Sequence, residues 1–327
     1  MTKYSSRMTG WAASALLALV TTASAEIKLN DNFSVSGYIE GSYQYTAPKP
    51  GDSTDRLNID SSQLLFTTNF KPVTGVVSLF YVPNAQQETT LLDAYVTYDA
   101  GNGLTVTGGK FLSYLGYESF FTVNNPEISF ANGDYLAPIP GYHEGVKVDY
   151  GTKEYGVGAA LVDSVYSPFY LKGDGELKHN AGFEGYFTYK AVENLTLWAG
   201  IAYDTKGSRD IPSQAHAVTT LDFWAQYQVD KAVMVAAEYA HKDGGPGAKG
   251  YNWLALMTYS FTDKLSTAFR VSGEKVTDGA SFTKYTIAPG VAVTDKLTVR
   301  AEYSYYDYKD AATDKANYFG VQAFFKF

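Results

Sequence analysis

From Leu297 to Tyr305 apolar and polar residues alternate without a break. Leu297, Val299, Ala301, Tyr303 and Tyr305 fall on one side, and Thr298, Arg300, Glu302 and Ser304 on the other. A helix would put Arg300 and Ser304 on the stripe of Leu297, so this period of two predicts a strand with two chemically different faces. The same alternation runs through Leu265, Thr267, Phe269 and Val271, and through Ala181, Phe183, Gly185, Phe187 and Tyr189. The tetrapeptide Thr-Asp-Lys-Leu occurs at 262–265 and again at 294–297, each time between two such segments. It reads as a tight turn, with Asp favouring the turn conformation and Leu restarting the apolar face.

Looser short turns fall at Lys71-Pro72-Val73, Ala100 to Gly103, Gly151-Thr152-Lys153, Val192-Glu193-Asn194 and Val229-Asp230-Lys231. Between them lie longer polar connections at Thr46 to Leu57, Pro83 to Thr90, Ser164 to Lys178, Thr205 to His216, Lys242 to Gly250, Val276 to Ala280 and Lys309 to Lys315. Regular alternation of short and long connections predicts an all-β, antiparallel, up-and-down barrel of about sixteen strands, turns at one end and loops at the other. A strand of about eleven residues tilted by ~40° covers roughly 28 Å of height, which matches the apolar band of a transmembrane barrel.

Alternation does not say which face looks outward, because a soluble sandwich turns its apolar face inward. Three features predict apolar side out, toward lipid. Full charges occupy mid-strand positions, among them Glu184, Glu238, Arg270 and Arg300, and these need water. Aromatic residues gather near strand ends, at Tyr45, Phe70, Tyr98, Tyr150, Tyr189, Tyr203, Tyr227 and Tyr259, as interfacial girdles require. The last strand alternates Phe319, Val321, Ala323, Phe325 and Phe327.

Composition agrees: 28 Tyr, 30 Gly and 16% aromatics against 18% charge suit a β-rich chain. There is no Cys, hence no disulfide framework, and the formal charge of −8 makes nucleic acid an unsuitable partner. Residues 1–25 read separately. Lys3 and Arg7 precede an apolar run from Trp11 to Val20, and Ala23-Ser24-Ala25 offers small residues for cleavage before Glu26, as in an export signal peptide. The expected division is 1–25 signal peptide and 26–327 transmembrane barrel.

One connection breaks the rhythm: Phe111 to Tyr142 separates the fifth strand, Leu104 to Lys110, from the sixth, His143 to Tyr150. It is too aromatic to be a solvated tail, and its expected place is inside the lumen as a long third loop. Gly109-Lys110-Phe111, Gly116-Tyr117-Glu118, Asn124 or Asn125, Pro140 and His143-Glu144-Gly145-Val146 with Tyr150 resemble the OmpL-like β-barrel porin family. By architecture the whole chain from residue 26 also resembles the general bacterial porins. The serine-rich stretch usual after the asparagine is reduced to Ser129. The resemblance implies a porin in the outer membrane of a Gram-negative-type bacterium, in contact with its lipid, and makes a homotrimer an expected assembly. It assigns no chemical role to these residues.

If apolar residues face lipid, the lumen receives Lys147, Lys190, Lys284, Arg270, Arg300 and Lys326 against Glu40, Asp93, Asp149, Glu184, Asp222, Glu238, Glu274 and Glu302. The inserted segment adds Glu118, Glu127 and Asp134. The expected constriction pairs those three acids with Arg270, Arg300 and Lys190, and the acid excess predicts a weak preference for cations. The bland alternative is that many of these charges are salt-bridged wall residues.

No cofactor, metal or catalytic residue is expected. Gly244 to Gly250 lacks the spacing of a phosphate loop, and Lys172 to Glu176 lacks a calcium ladder. His143, His179, His216 and His241 fall near the loop side, with no nucleophile elbow or His-Glu-x-x-His beside them. The leading expectation is passive diffusion of small hydrophilic solutes and ions. The alternatives are a blocked structural or adhesive barrel that binds a partner through its loops, and an outer-membrane barrel hydrolase using rim residues.

Overall fold

In the computed structural model the described residues are 26–327, apart from 84, 86–87, 132, 134, 167–180 and 206–215. The expected export segment, residues 1–25, lies outside them. A two-residue strand, β1 (Ile27–Lys28), precedes sixteen long ones. These are β2 (Phe33–Lys49), β3 (Thr54–Phe70), β4 (Val73–Tyr81), β5 (Thr89–Gly101), β6 (Leu104–Leu112), β7 (Tyr142–Gly151), β8 (Tyr155–Val162) and β9 (Gly182–Tyr189). They continue as β10 (Leu195–Asp204), β11 (Val218–Gln228), β12 (Val233–Asp243), β13 (Lys249–Ser260), β14 (Leu265–Val276), β15 (Ser281–Ala292), β16 (Leu297–Lys309) and β17 (Lys315–Lys326).

Each long strand pairs antiparallel with its sequence neighbours, and β17 pairs with β2 from Lys315↔Lys49 to Lys326↔Tyr38. The sheet therefore closes and leaves no long edge. Closure extends to the last residue: Phe327 N–H donates to Gly37 O at 3.0 Å, and Gly37 N–H to Phe327 O at 2.8 Å.

The duplicated turn works through its threonine rather than its aspartate. In one copy Thr262 Oγ1 accepts the N–H groups of Lys264 and Leu265 at 3.2 and 3.0 Å. Thr294 Oγ1 does the same for Lys296 and Leu297, again at 3.2 and 3.0 Å. Asp230 Oδ1 plays this part between β11 and β12, taking Ala232 and Val233 N–H. The shared requirement is a short side-chain oxygen at the first turn position. Between β5 and β6 the solution differs, with Gly101, Asn102 and Gly103 all at positive φ, a conformation open to glycine and tolerated by asparagine.

The first long connection is shorter than its polarity suggests. Thr46 to Leu57 was expected as loop, yet β2 and β3 continue to Lys49 and from Thr54, leaving only 50–53 between them. Hydrogen bonding sustains this hairpin beyond the apolar band, where polar residues on both faces cost nothing. The third connection is trimmed to 113–141 for the same reason, since pairing extends to Leu112↔Tyr142.

Burial settles the faces. Strand β8 alternates exposed and buried along its full length. On β14 Phe269 is 41% exposed whereas Arg270 is 1% exposed, and Phe183 and Glu184 on β9 stand at 49% and 4%. Apolar side chains point out and charged ones in, as the alternation predicts. Phe269 lies near the middle of the outward band, so Phe269→Arg is expected to cost about 2–4 kcal/mol in a bilayer. Refolding titrations into lipid vesicles would measure it, and an unchanged midpoint would contradict outward placement.

Candidate functional site: the inner wall and the segment it holds

The segment 113–141 is hung on side chains of the inner wall, and its contacts can be followed strand by strand. Ser113 Oγ and Tyr114 N–H donate to Glu184 on β9, at 2.5 and 3.1 Å. Gly116 N–H reaches Asp222 on β11 at 2.8 Å, and Tyr117 N–H reaches Glu238 on β12 at 2.6 Å. Gly116 turns at φ +102°, which directs successive N–H groups toward the wall and suits glycine. Glu118 then pairs with Arg270 on β14.

Next the chain crosses to the opposite wall. Phe120 and Phe121 pack with Phe80 at ring distances of 6.1 and 5.7 Å, Phe121 meets Tyr38 at 6.0 Å, and Phe120 meets Tyr142 at 5.2 Å. Val123 joins the same apolar cluster with Leu92. Thr122 Oγ1 donates to Glu40 on β2 at 2.8 Å.

The return leg follows β17, β16, β15 and β14. Lys326 Nζ donates to Asn124 Oδ1 at 3.0 Å, and Arg300 donates to the carbonyls of Thr122 and Asn125. Glu302 accepts Ile128 N–H at 2.6 Å, Ser129 N–H at 2.9 Å and the Ser129 hydroxyl. Lys284 Nζ donates to Phe130 O at 2.8 Å, and Ser272 Oγ to Ala131 O at 2.9 Å. Glu274 collects the N–H groups of Gly133, Tyr135 and Leu136, and Lys242 Nζ donates to Leu136 O at 2.9 Å.

The physical pattern is simple. A segment without regular hydrogen bonding leaves its amides and carbonyls open, and inside a barrel they must be satisfied by the wall. Carboxylates accept the N–H groups and cations cover the carbonyls, in charge-assisted bonds stronger than neutral ones. Below the segment lies an apolar floor in which Tyr186, Trp198 and Trp224 stack at 6.1 and 5.8 Å, flanked by Tyr114 and Tyr117.

Of the expected constriction residues, Glu118, Glu127, Glu184, Glu238, Arg270, Glu274, Arg300 and Glu302 all lie in or against this segment. Among the described residues their expected mutual pairing is realised around Arg270, which pairs with Glu118 and stands 3.6 Å from Glu127. Arg300 instead bonds backbone carbonyls and Gln322. Lys147 lies over the rings of Phe111 and Tyr114, 4.9 and 5.0 Å from their centroids. Lys190 is exposed in the short turn after β9, with its N–H on Glu154 O, at the end of the barrel opposite the long loops. It was expected inside because alternation was carried one residue past the end of its strand. Asp134 lies outside the described residues, as does His179.

Sequence reasoning missed Asp60, Asp204 and Lys242. A bulge between Glu40 and Gly41 shifts the register with β3, so Asp60 and Ser61 both turn inward, a change of parity that no sequence period carries. Asp204 and Lys242 sit at loop-side strand ends, Asp204 just before the connection expected from Thr205 and Lys242 at the start of the one expected to Gly250. His143, expected near the rim, is buried on the inner wall 3.5 Å from Glu184. Ser113 addresses that same carboxylate, which therefore stands between the hydroxyl and the imidazole. An activated serine needs the histidine in the middle.

Glu127 is fully enclosed, and neither of its oxygens has a hydrogen-bond partner. Burial pushes its carboxyl up to about 7, against the pull of Arg270. A group raised above its unfolded value contributes stability that is present below that unfolded value and lost as pH rises through about 7. Docking of the segment is thus expected to weaken between pH 5 and 8, and Glu127→Gln should flatten the dependence. Protection of the 113–141 amides from hydrogen exchange would report it, and an equal slope in both proteins would count against this assignment.

Comparison with known proteins fits this geometry. The family model described as "Putative beta-barrel porin-2, OmpL-like" matches residues 32–327. No curated protein matches. Among solved structures, the outer membrane channel DcaP of Acinetobacter baumannii aligns at a TM-score of 0.64 and 12% identity, over 92% of this chain and 99% of that one. OprB of Pseudomonas putida aligns at 0.70 and 13%, over 90% and 94%. The trimer form of OmpT of Vibrio cholerae aligns at 0.58 and 16%, over 91% and 100%. At these identities the structures share the fold alone. A closed sixteen-strand wall, apolar outside and charged inside, together with a family match over nearly the whole chain, places this protein in the OmpL-like β-barrel porin-2 family, as a porin of the Gram-negative outer membrane.

Proposed function

We propose that small hydrophilic solutes and ions diffuse passively through this barrel, along a path narrowed by residues 113–141, with a weak preference for cations. The observation that carries the reading is the charged inner wall onto which that segment is tied. Acids outnumber bases there among the described residues: Glu40, Asp60, Asp93, Asp149, Glu184, Asp204, Asp222, Glu238, Glu274 and Glu302 stand against Arg56, Lys147, Lys242, Arg270, Lys284, Arg300 and Lys326. Like-signed excess along a pore favours the opposite ion. Because most of these groups are spent on holding the segment, the bias is weak. In a potassium chloride gradient across a planar bilayer the reversal potential should take the sign of cation selectivity. A strong anion potential would overturn the preference.

A second reading, the blocked barrel, is favoured by the reach of the segment, which touches β2, β4 and β7 on one side and β9, β12, β14 and β16 on the other. Conductance separates the two, since a plugged barrel gives no steps. Nothing in the proposed mechanism calls for catalysis. The OmpT trimer motivates a homotrimer here, and residues 1–25 are proposed as the export signal, removed before Glu26.

A further inference from the structure

Among the described residues the exposed large apolar side chains fall on the outer face or at the turn end, except for Phe130 and Tyr135. These are 44% and 39% exposed, and both belong to the segment held inside the barrel. On the wall above them, Tyr306 and Tyr308 of β16 share parity with buried Arg300, Glu302 and Ser304, so their rings face the lumen, where they are half-buried. Apolar surface left open to water in a charged interior marks a place that a ligand covers.

These rings form one shelf at the long-loop end. Tyr306 and Tyr308 stack at 5.5 Å with 3° between their planes, and buried Phe282 backs both at 5.8 Å. Tyr135 meets Phe282 at 6.1 Å. Lys284 joins Phe130 to the shelf, its Nζ donating to Phe130 O at 2.8 Å and lying 4.8 Å from the Tyr306 centroid. A solute entering from the loop side meets the shelf before it reaches the narrowing below.

Across the mouth and deeper lies a polar cradle. Arg56 of β3 is exposed, and its Nη2 donates to Gln44 Oε1 at 2.9 Å. Gln44 Nε2 in turn donates to Ser42 Oγ at 2.7 Å and to Asp60 Oδ1 at 3.3 Å. Guanidinium and carboxylate stand together here, so an ion meets no single sign of charge, whereas hydroxyl groups find both donors and acceptors. Strands spaced ~4.8 Å apart put β16 and β3 roughly 14 Å from each other around the wall, with β17 and β2 between them. Ala316 of β17, the partner of Tyr306, is too small to fill that gap. The span exceeds one sugar ring and suits a linear chain of them. A planar aromatic solute would use the shelf and leave Gln44 and Arg56 idle.

We propose that the mouth binds a neutral linear oligosaccharide, the faces of successive sugars lying on Tyr306, Tyr308, Phe130 and Tyr135 and their hydroxyls on Gln44 and Arg56. Transport of such a chain rests on the diffusion reading above; its binding does not. The full barrel in detergent would be titrated calorimetrically with a linear glucose oligomer, with glucose and with indole, and the same protein recorded in a planar bilayer as the oligomer is added. The oligomer should bind more tightly than glucose and reduce the current saturably. Tyr306→Ala with Tyr308→Ala should weaken binding about tenfold, whereas Tyr306→Phe with Tyr308→Phe, which keeps the rings, should stay within about threefold of wild type. Heat-modifiable migration checks that each variant is folded. Oligomer binding without current steps would keep the site and remove transport. Steps without oligomer binding would overturn the site and leave diffusion in place. Equal affinity in the alanine variant, an equal loss in the phenylalanine variant, or tighter binding of indole than of the oligomer would overturn the site as well.

Discussion

Arg270→Met is expected to release residues 113–141 from the wall while leaving the barrel closed. Arg270 is buried, pairs with Glu118, stands 3.6 Å from Glu127, and donates to Ser129 O at 2.9 Å. Removing it takes the nearest cation from the Glu118 and Glu127 carboxylates, and breaking a buried pair from one side costs about 3–5 kcal/mol. None of the strand-to-strand bonds depends on that guanidinium, so heat-modifiable migration should persist. Limited proteolysis should cut within 113–141 in the variant and spare the wild type. Adding Glu127→Gln removes one of the stranded charges and should restore part of the protection. Cleavage at equal rates in wild type and Arg270→Met would mean that the segment is held by something else.

Glu302→Leu is the second large effect. Its carboxylate accepts Ile128 N–H, Ser129 N–H, the Ser129 hydroxyl and, at 2.7 Å, the Ser304 hydroxyl. Leucine fills the volume but accepts nothing, and each buried donor left open costs about 1–3 kcal/mol. Lys284 Nζ, which donates to the Ser129 hydroxyl at 2.5 Å, would lose the anion nearby as well. Hydrogen exchange at Ile128 and Ser129 should quicken by roughly a hundredfold, at about 1.4 kcal/mol for each factor of ten. Glu302→Gln retains one acceptor oxygen and should fall between. Unchanged exchange in Glu302→Leu would remove the wall carboxylate from the account.

These effects separate what could be read in the chain from what could not. Alternation at Leu297 to Tyr305 and at Phe269-Arg270 carries the barrel, its two faces and its strand order, because a two-sided environment imposes a period of two on every strand. The same reading supplied the charged wall, since full charges at mid-strand tolerate only one side. What it could not supply was the partner of each charge. Glu302 meets Ile128 and Ser129, and Glu274 meets Gly133, Tyr135 and Leu136, through backbone groups that every sequence possesses, so no residue type marks the contact. Asp60 was hidden by a bulge, and Lys190 was drawn inward by extending the period past Tyr189. The duplicated turn was located correctly but for the wrong reason, threonine rather than aspartate being the acceptor. Periodicity reports environment. It is silent on irregular backbone that crosses a cavity.

That crossing also offers the cleanest intervention. Ala131 N–H donates to Glu118 Oε2 at 2.7 Å, so the ends of the excursion already touch. Replacing 119–130 with a short glycine linker between Glu118 and Ala131 removes the part that spans the lumen. Single-channel recording of the intact protein and of this shortened form tests the central claim, that charged residues line an aqueous interior which the segment narrows. The intact barrel should give small, stable current steps and the shortened one larger steps. Absence of steps in both proteins, or steps of equal size, would contradict it.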